Sequence, residues 1–116
     1  MSRRTLVYTA GPITDTRGFF YYEKNIREAE AIAQQLWVLG YAVICPHTNT
    51  RNFDGIVTFQ DFSDGDLEMM RRCDAVIFTP RWKESKGATI EHDFCVANNI
   101  PRYYWPDHPM LPKDAV

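Results

Sequence analysis

Most of the features that announce a chemistry at a glance are missing from this sequence. Cysteine is scarce: Cys45, Cys73 and Cys95 are an odd number, widely spaced, with no CxxC pair. That usage argues against a disulfide framework or a zinc site and points to reduced thiols in a cytosolic protein. No apolar run approaches about 18 residues, so no membrane-spanning helix is expected. The stretch from Leu6 to Ala10 is too short for the apolar region of a signal peptide, and the expected location is the cytoplasm. A basic surplus is also missing. The formal net charge is −2, and Arg3-Arg4 is too short to be a polybasic arm. Neither nucleic acid nor a membrane is therefore expected as a partner. There is no GxGxxG and no GxxxxGK[ST], so dinucleotide and P-loop chemistry are not indicated. His47 and His92 are lone histidines without metal-ligand spacing, and no cofactor or metal is expected.

What is present suits one domain spanning residues 1–116. The 116 residues are 45% apolar and 24% charged, ordinary values for a globular chain. Strand and helix patterns alternate, which implies a mainly parallel sheet covered by helices. Leu6 to Ala10, Tyr41 to Cys45, Asp74 to Phe78 and Arg102 to Trp105 read as strands. Between Glu23 and Leu39, the residues Ile26, Ala29, Ala33, Leu36 and Trp37 recur at helical spacing, and Gly40 is a suitable stop. A second helix is expected from about Gly65 to Arg72, capped by Ser63 or Asp64. A third should open at Gly87 or Ala88 and run to about Asn98. His47 to Thr58 reads as a long loop, and the proline-bearing tail as irregular. Ligands of such sheets bind outside the carboxyl ends of the strands, so Gly11-Pro12, Pro46-His47 and the loop leading to Glu91 define the rim to search.

Three segments on that rim could carry chemistry. In Ser85-Lys86-Gly87-Ala88-Thr89-Ile90-Glu91, a helix N-terminus offers free N–H groups to an anion, and Gly87 lets a ligand approach the backbone. The helix dipole favours an ionised Glu91, the state a glycosidic nucleophile needs. The plainer reading is a Glu that simply suits the dipole. In Asp64-Gly65-Asp66-Leu67-Glu68, a carboxylate could face Glu91 and move a proton; capping by Asp64 and a solvated acidic face are the plainer reading. In Tyr8-Thr9-Ala10-Gly11-Pro12-Ile13-Thr14, Gly11 could bring backbone amides to a phosphate, whereas Tyr8 reads equally well as a core aromatic. Trp82 and Phe19-Phe20 lie in expected loops, where aromatics could stack on a base or serve packing.

The wording and order of these segments carry a resemblance. "YTAGPIT", a helix ending "LWVLGYAVICP", and "DGDLEMMRRCDAVIFTPRWKESKGATIEHDFCVA" together resemble the DUF4406 group of the nucleoside 2-deoxyribosyltransferase-like superfamily, from about Leu6 to Trp105. The resemblance implies an α/β, flavodoxin-like (Rossmann-like) three-layer fold with a four- to five-stranded parallel sheet and helices on both faces. It implies Glu91 as nucleophile, Asp66 in leaving-group chemistry and Tyr8 as a site tyrosine. Ser85, six positions before Glu91, stands where relatives that hydrolyse nucleoside 5′-monophosphates contact the phosphate, and where deoxyribosyltransferases carry an Asp. Gly11, Ile13, Gly87, His47 and Trp82 complete the expected binding set. Thr14 departs from the pattern, standing where the nucleotide hydrolases have an Arg; Arg17, Arg51 and Lys86 are the candidate replacements. The implied activity is hydrolysis of a (deoxy)nucleoside 5′-monophosphate to free base. The alternatives are deoxyribosyl transfer and a nucleotide-binding module without turnover. A homodimer or higher homo-oligomer is also implied.

Overall fold

The computed structural model describes residues 3–13, 17–107 and 114–115. Its central sheet is made of β2 (Leu6–Ala10), β3 (Ala42–Ile44), β4 (Ala75–Phe78) and β5 (Arg102–Tyr104). All neighbours are parallel, in the order β3-β2-β4-β5. The chain moves outward to one edge, then crosses back past β2 to build the other half. Right-handed crossovers in opposite directions put their helices on opposite faces, and the side chains show this. Alternate strand residues Val7, Ala75 and Ile77 pack against Ile32 and Leu36 of α1 (Phe19–Val38). The residues between them, Tyr8, Ala10, Val76 and Phe78, pack against Met70 of α3 (Phe59–Arg71) and Cys95 of α4 (Lys86–Ala97). The result is the expected three-layer α/β architecture, with four strands in its parallel sheet.

The strands fall where the apolar runs place them, but α1 and α3 begin several residues earlier than the sequence suggests. α1 starts at Phe19 and absorbs the aromatic run read as loop. α3 starts at Phe59, because Thr58 and Asp61 form a reciprocal capping box. Ser63 and Asp64 are therefore interior helical residues and not caps; Asp64 instead accepts from the Gln60 amide at 2.8 Å. Two short elements lie in expected loops: α2 (Pro46–Asn49) and a 3-10 turn, Trp82–Glu84. A further surprise is a small antiparallel pair, β1 (Arg3–Arg4) with β6 (Asp114–Ala115), in the tail expected to be irregular. Arg3 also grips Asp74 through both carboxylate oxygens, at 2.9 and 2.7 Å. All three cysteines are unpaired thiols. Among the described residues, no helix is long and apolar enough to cross a membrane.

Candidate active site

In a sheet of this order, the loops after β2 and β4 diverge at the point where the topology reverses. A crevice opens there, outside the carboxyl ends of the strands. The chain has a cavity of about 390 Å³ at this place. The loop after β2 supplies Gly11 and Ile13. α2 supplies His47, α3 supplies Asp66, and the loop after β4 and the start of α4 supply Ser85, Gly87 and Glu91. Seven of the residues expected from sequence thus line one cavity.

Glu91 is the most telling of them. Although it lines the cavity, it is 8% exposed. Burial, the largest influence, pushes its carboxyl up to about 7. The Tyr8 hydroxyl works against this, donating to Glu91 Oε2 at 2.5 Å, while the Asp66 charge adds to it. The expectation that the helix dipole favours an ionised Glu91 is therefore outweighed by burial. Glu91 titrates near neutrality because desolvation outweighs its favourable partners.

Asp66 is pushed up to about 6, again by burial, with the charge of His47 opposing. Tyr8 is fully buried behind Glu91 and is absent from the cavity wall. Burial and the Glu91 charge raise its pKa well above the ordinary value, so it remains a hydroxyl donor at any physiological pH. Its hydroxyl fixes one oxygen of the Glu91 carboxylate from within the core.

His47 is almost fully buried, and its Nε2–H donates to the Pro12 carbonyl at 2.9 Å. Gly11 is a glycine for a packing reason: a Cβ there would stand 1.8 Å from Thr79 Oγ1. Ser85 is the N-cap of α4, its Oγ accepting from Ala88 N at 3.1 Å. The helix therefore opens at Lys86, one residue before the expected start. The Ser85 hydroxyl proton remains available to a ligand. The N–H groups of Lys86 and Gly87 have no acceptor within the helix.

Of the three candidates for the missing arginine, only Lys86 lines the cavity, its ammonium 5.5 Å from the Phe59 ring centre. Arg51 is paired with Glu23 at 2.6 Å. Arg17 lies over the Tyr21 ring at 3.7 Å. Thr14 lies outside the described residues. Trp82 is not brought to this cavity. It stacks on His92, with ring centres 4.2 Å apart, beside Phe78 and Tyr104 on the other side of the α4 start. Phe19 and Phe20 are exposed on the first turn of α1 and do not line the cavity either.

Sequence reasoning missed Tyr22, Thr50, Asp54, Phe59 and Phe62, all on the cavity wall. The Thr58-x-x-Asp61 spacing would have placed Phe59 and Phe62 on a helix beside Asp66. Among the described residues, no group of three or more His, Cys, Asp or Glu is arranged to hold a metal.

Fold and site together define a doubly wound α/β domain with two perturbed carboxyl groups at its topological switch point. The DUF4406 family model, described as a domain of unknown function, matches residues 5–101. The chain belongs to that family. Among curated proteins, none matches it by sequence. Among solved structures, it is similar to a 2-deoxyribosyltransferase from the psychrotolerant bacterium Bacillus psychrosaccharolyticus. The TM-score is 0.65 at 18% identity, covering 86% of this chain and 71% of that one. It is also similar to a 2-deoxyribosyltransferase from Leishmania mexicana, with a TM-score of 0.59 at 21% identity, covering 86% of this chain and 63% of that one. At these identities the likeness is one of fold.

Proposed function

We propose that this protein cleaves the N-glycosidic bond of a (deoxy)nucleoside 5′-monophosphate, with Glu91 as nucleophile and Asp66 as proton donor. The observation that carries the reading is the buried Glu91 carboxyl on the cavity wall, held through one oxygen by Tyr8 and sharing the cavity with Asp66. Tyr8 occupies Oε2 and leaves Oε1 to react.

As like charges in one site the two groups titrate as a pair, and with Glu91 at about 7 and Asp66 at about 6 a single shared proton rests mainly on Glu91. The productive form is the minor one that carries it on Asp66 and leaves Glu91 ionised. Glu91 then attacks the anomeric carbon, the bond to the base breaks, and the Asp66 proton goes to the leaving base. Water next attacks the same carbon, Asp66 takes a proton from it, and Glu91 is released as carboxylate. Base release should peak between about pH 6 and 7. Ser85, Lys86 and the first N–H groups of α4 offer the phosphate a hydroxyl, a cation and a helix N-terminus.

Transfer to a second base shares the first half of this path. The structural neighbours are 2-deoxyribosyltransferases, which keeps transfer as the second reading. Chromatography after incubation with a panel of ribo- and deoxynucleoside monophosphates and nucleosides tests both, with and without an added acceptor base. Free base from one monophosphate, lost in Glu91→Gln, is the expected result. Full hydrolysis by Glu91→Gln sinks the mechanism. A new nucleoside formed with the acceptor base favours transfer. Stabilisation by nucleotides without any base release favours a binding module.

A further inference from the structure

Three consecutive residues after β2 are each tethered to a different element. Gly11 packs on Thr79 of the loop after β4. The Pro12 carbonyl accepts from His47 of α2. The Ile13 carbonyl accepts from Nδ2 of Asn25 on α1, at 3.2 Å. The third tether continues. Asn25 is a buried amide whose Oδ1 accepts from the Arg81 guanidinium at 3.0 Å, and Arg81 also reaches Glu28, one turn along α1, at 3.3 Å. A cationic donor on one side and a carbonyl acceptor on the other fix the amide in one orientation.

Arg81 sits in the left-handed region, φ 67°, which a non-glycine residue seldom adopts. From there the chain proceeds in tight hydrogen-bonded steps. Glu84 N donates to the Arg81 carbonyl at 3.0 Å and Ser85 N to the Trp82 carbonyl at 3.1 Å. Fixing Arg81 therefore fixes Ser85, and through it the start of α4. The line Ile13–Asn25–Arg81 joins the two loops whose ends, Ile13 and Ser85 to Gly87, both line the cavity.

We infer that Asn25 and Arg81 are positioning residues, a strut that sets the gap between Ile13 and Ser85 and so tunes the site for a 5′-phosphate over a 5′-hydroxyl. The inference rests on the proposed substrate class and adds to it the residues that enforce it. Neither residue touches the substrate. Loss of the strut widens one end of the cavity and leaves Glu91, Tyr8 and Asp66 in place. Arg81→Ala removes the strut at an exposed position. Arg81→Lys keeps a cation within reach of Asn25. Asn25→Asp keeps the Arg81 contact but loses the donor to Ile13.

The test measures dissociation constants for the panel of nucleoside monophosphates and nucleosides by calorimetry, together with backbone hydrogen exchange. Arg81→Ala should weaken monophosphate binding about tenfold and nucleoside binding less than about twofold, the loss expected of one misplaced hydrogen-bonding set. Arg81→Lys should recover most of it. Exchange should quicken around residues 11–13 and 82–88 in Arg81→Ala, but only around 11–13 in Asn25→Asp, with the strands unchanged. Equal weakening of both ligand classes, or unchanged exchange in both loops, overturns the strut. A wild-type protein that binds neither class overturns the substrate reading itself, and the inference with it.

Discussion

Glu91→Gln should make the folded protein more stable at pH 8 while abolishing turnover. The reasoning needs only the burial of one carboxyl. In an unfolded chain the group titrates near 4.5; in the fold it titrates at about 7, chiefly because ionisation there means leaving water. Between those values the folded chain holds a proton that the unfolded chain has released, so stability falls as pH rises. The penalty is absent below about pH 4.5 and complete above about pH 7. At ~1.4 kcal/mol per pH unit, the displacement amounts to about 3 kcal/mol. A glutamine has nearly the same shape, keeps an oxygen for the Tyr8 hydroxyl, and carries no charge to bury.

The two proteins should therefore melt almost together at pH 5 and separate progressively toward pH 8. The gap should reach about 3 kcal/mol, or roughly 10 °C for a chain of this size. Melting curves of both proteins at half-unit steps from pH 5 to 8 measure this directly. Asp66 titrates in both proteins, so the difference between the curves reports Glu91 together with its coupling to Asp66. Parallel curves, or a glutamine variant less stable at pH 8, would refute the claim that Glu91 is ionised at a cost.

Two other outcomes follow from the same geometry. Tyr8→Phe removes the donor to Glu91 Oε2. A hydrogen bond to a charged group contributes about 1.5–3 kcal/mol, so the basic limb of the base-release profile, set by Glu91 as the higher of the pair, should move up by about one to two pH units; an unmoved limb would show that Tyr8 does not act on the carboxylate. Gly11→Ala should cost about 1–3 kcal/mol in urea denaturation, because its Cβ meets Thr79 Oγ1 at 1.8 Å. Thr79→Ala removes that oxygen, so the double variant should lose less than the two single variants together.

Particular residues show why parts of this fold were legible and others were not. The strands announce themselves because Val7, Val76, Ile77 and Phe78 form short apolar runs bounded by turn residues. Both helix starts were hidden by composition. Phe19 to Tyr22 are mediocre helix formers behind Gly18, which supplies no side-chain cap. The first turns of α3 carry Gln60, Asp61, Ser63, Asp64 and Gly65, whose polarity and glycine read as loop; only the capping box at Thr58 marks the true start. The β1–β6 pair joins opposite ends of the chain, and no local pattern reports such a contact. Asn25 and Arg81 are ordinary polar residues in sequence. Their role exists only once α1 lies beside the loop after β4.

Glu91 itself shows how magnitude decides between two sound arguments. From sequence, a Glu just inside a helix N-terminus is expected to be ionised, since the dipole favours it. That effect is worth typically 0.3–1 kcal/mol and fades beyond the first turn. α4 begins at Lys86, so Glu91 already lies past that turn. Burial, with the Asp66 charge added and the Tyr8 hydrogen bond opposing, acts in the opposite direction with a net of about 3 kcal/mol. No pattern of residues along the chain carries that number, because it depends on elements far apart in sequence burying one side chain. The consequence for chemistry is direct under the proposed mechanism. An ionised Glu91 sits at high energy in a poorly hydrated wall, and forming a neutral glycosyl ester removes the charge that the site disfavours. The same burial that makes Glu91 costly to the fold thus helps make it a nucleophile.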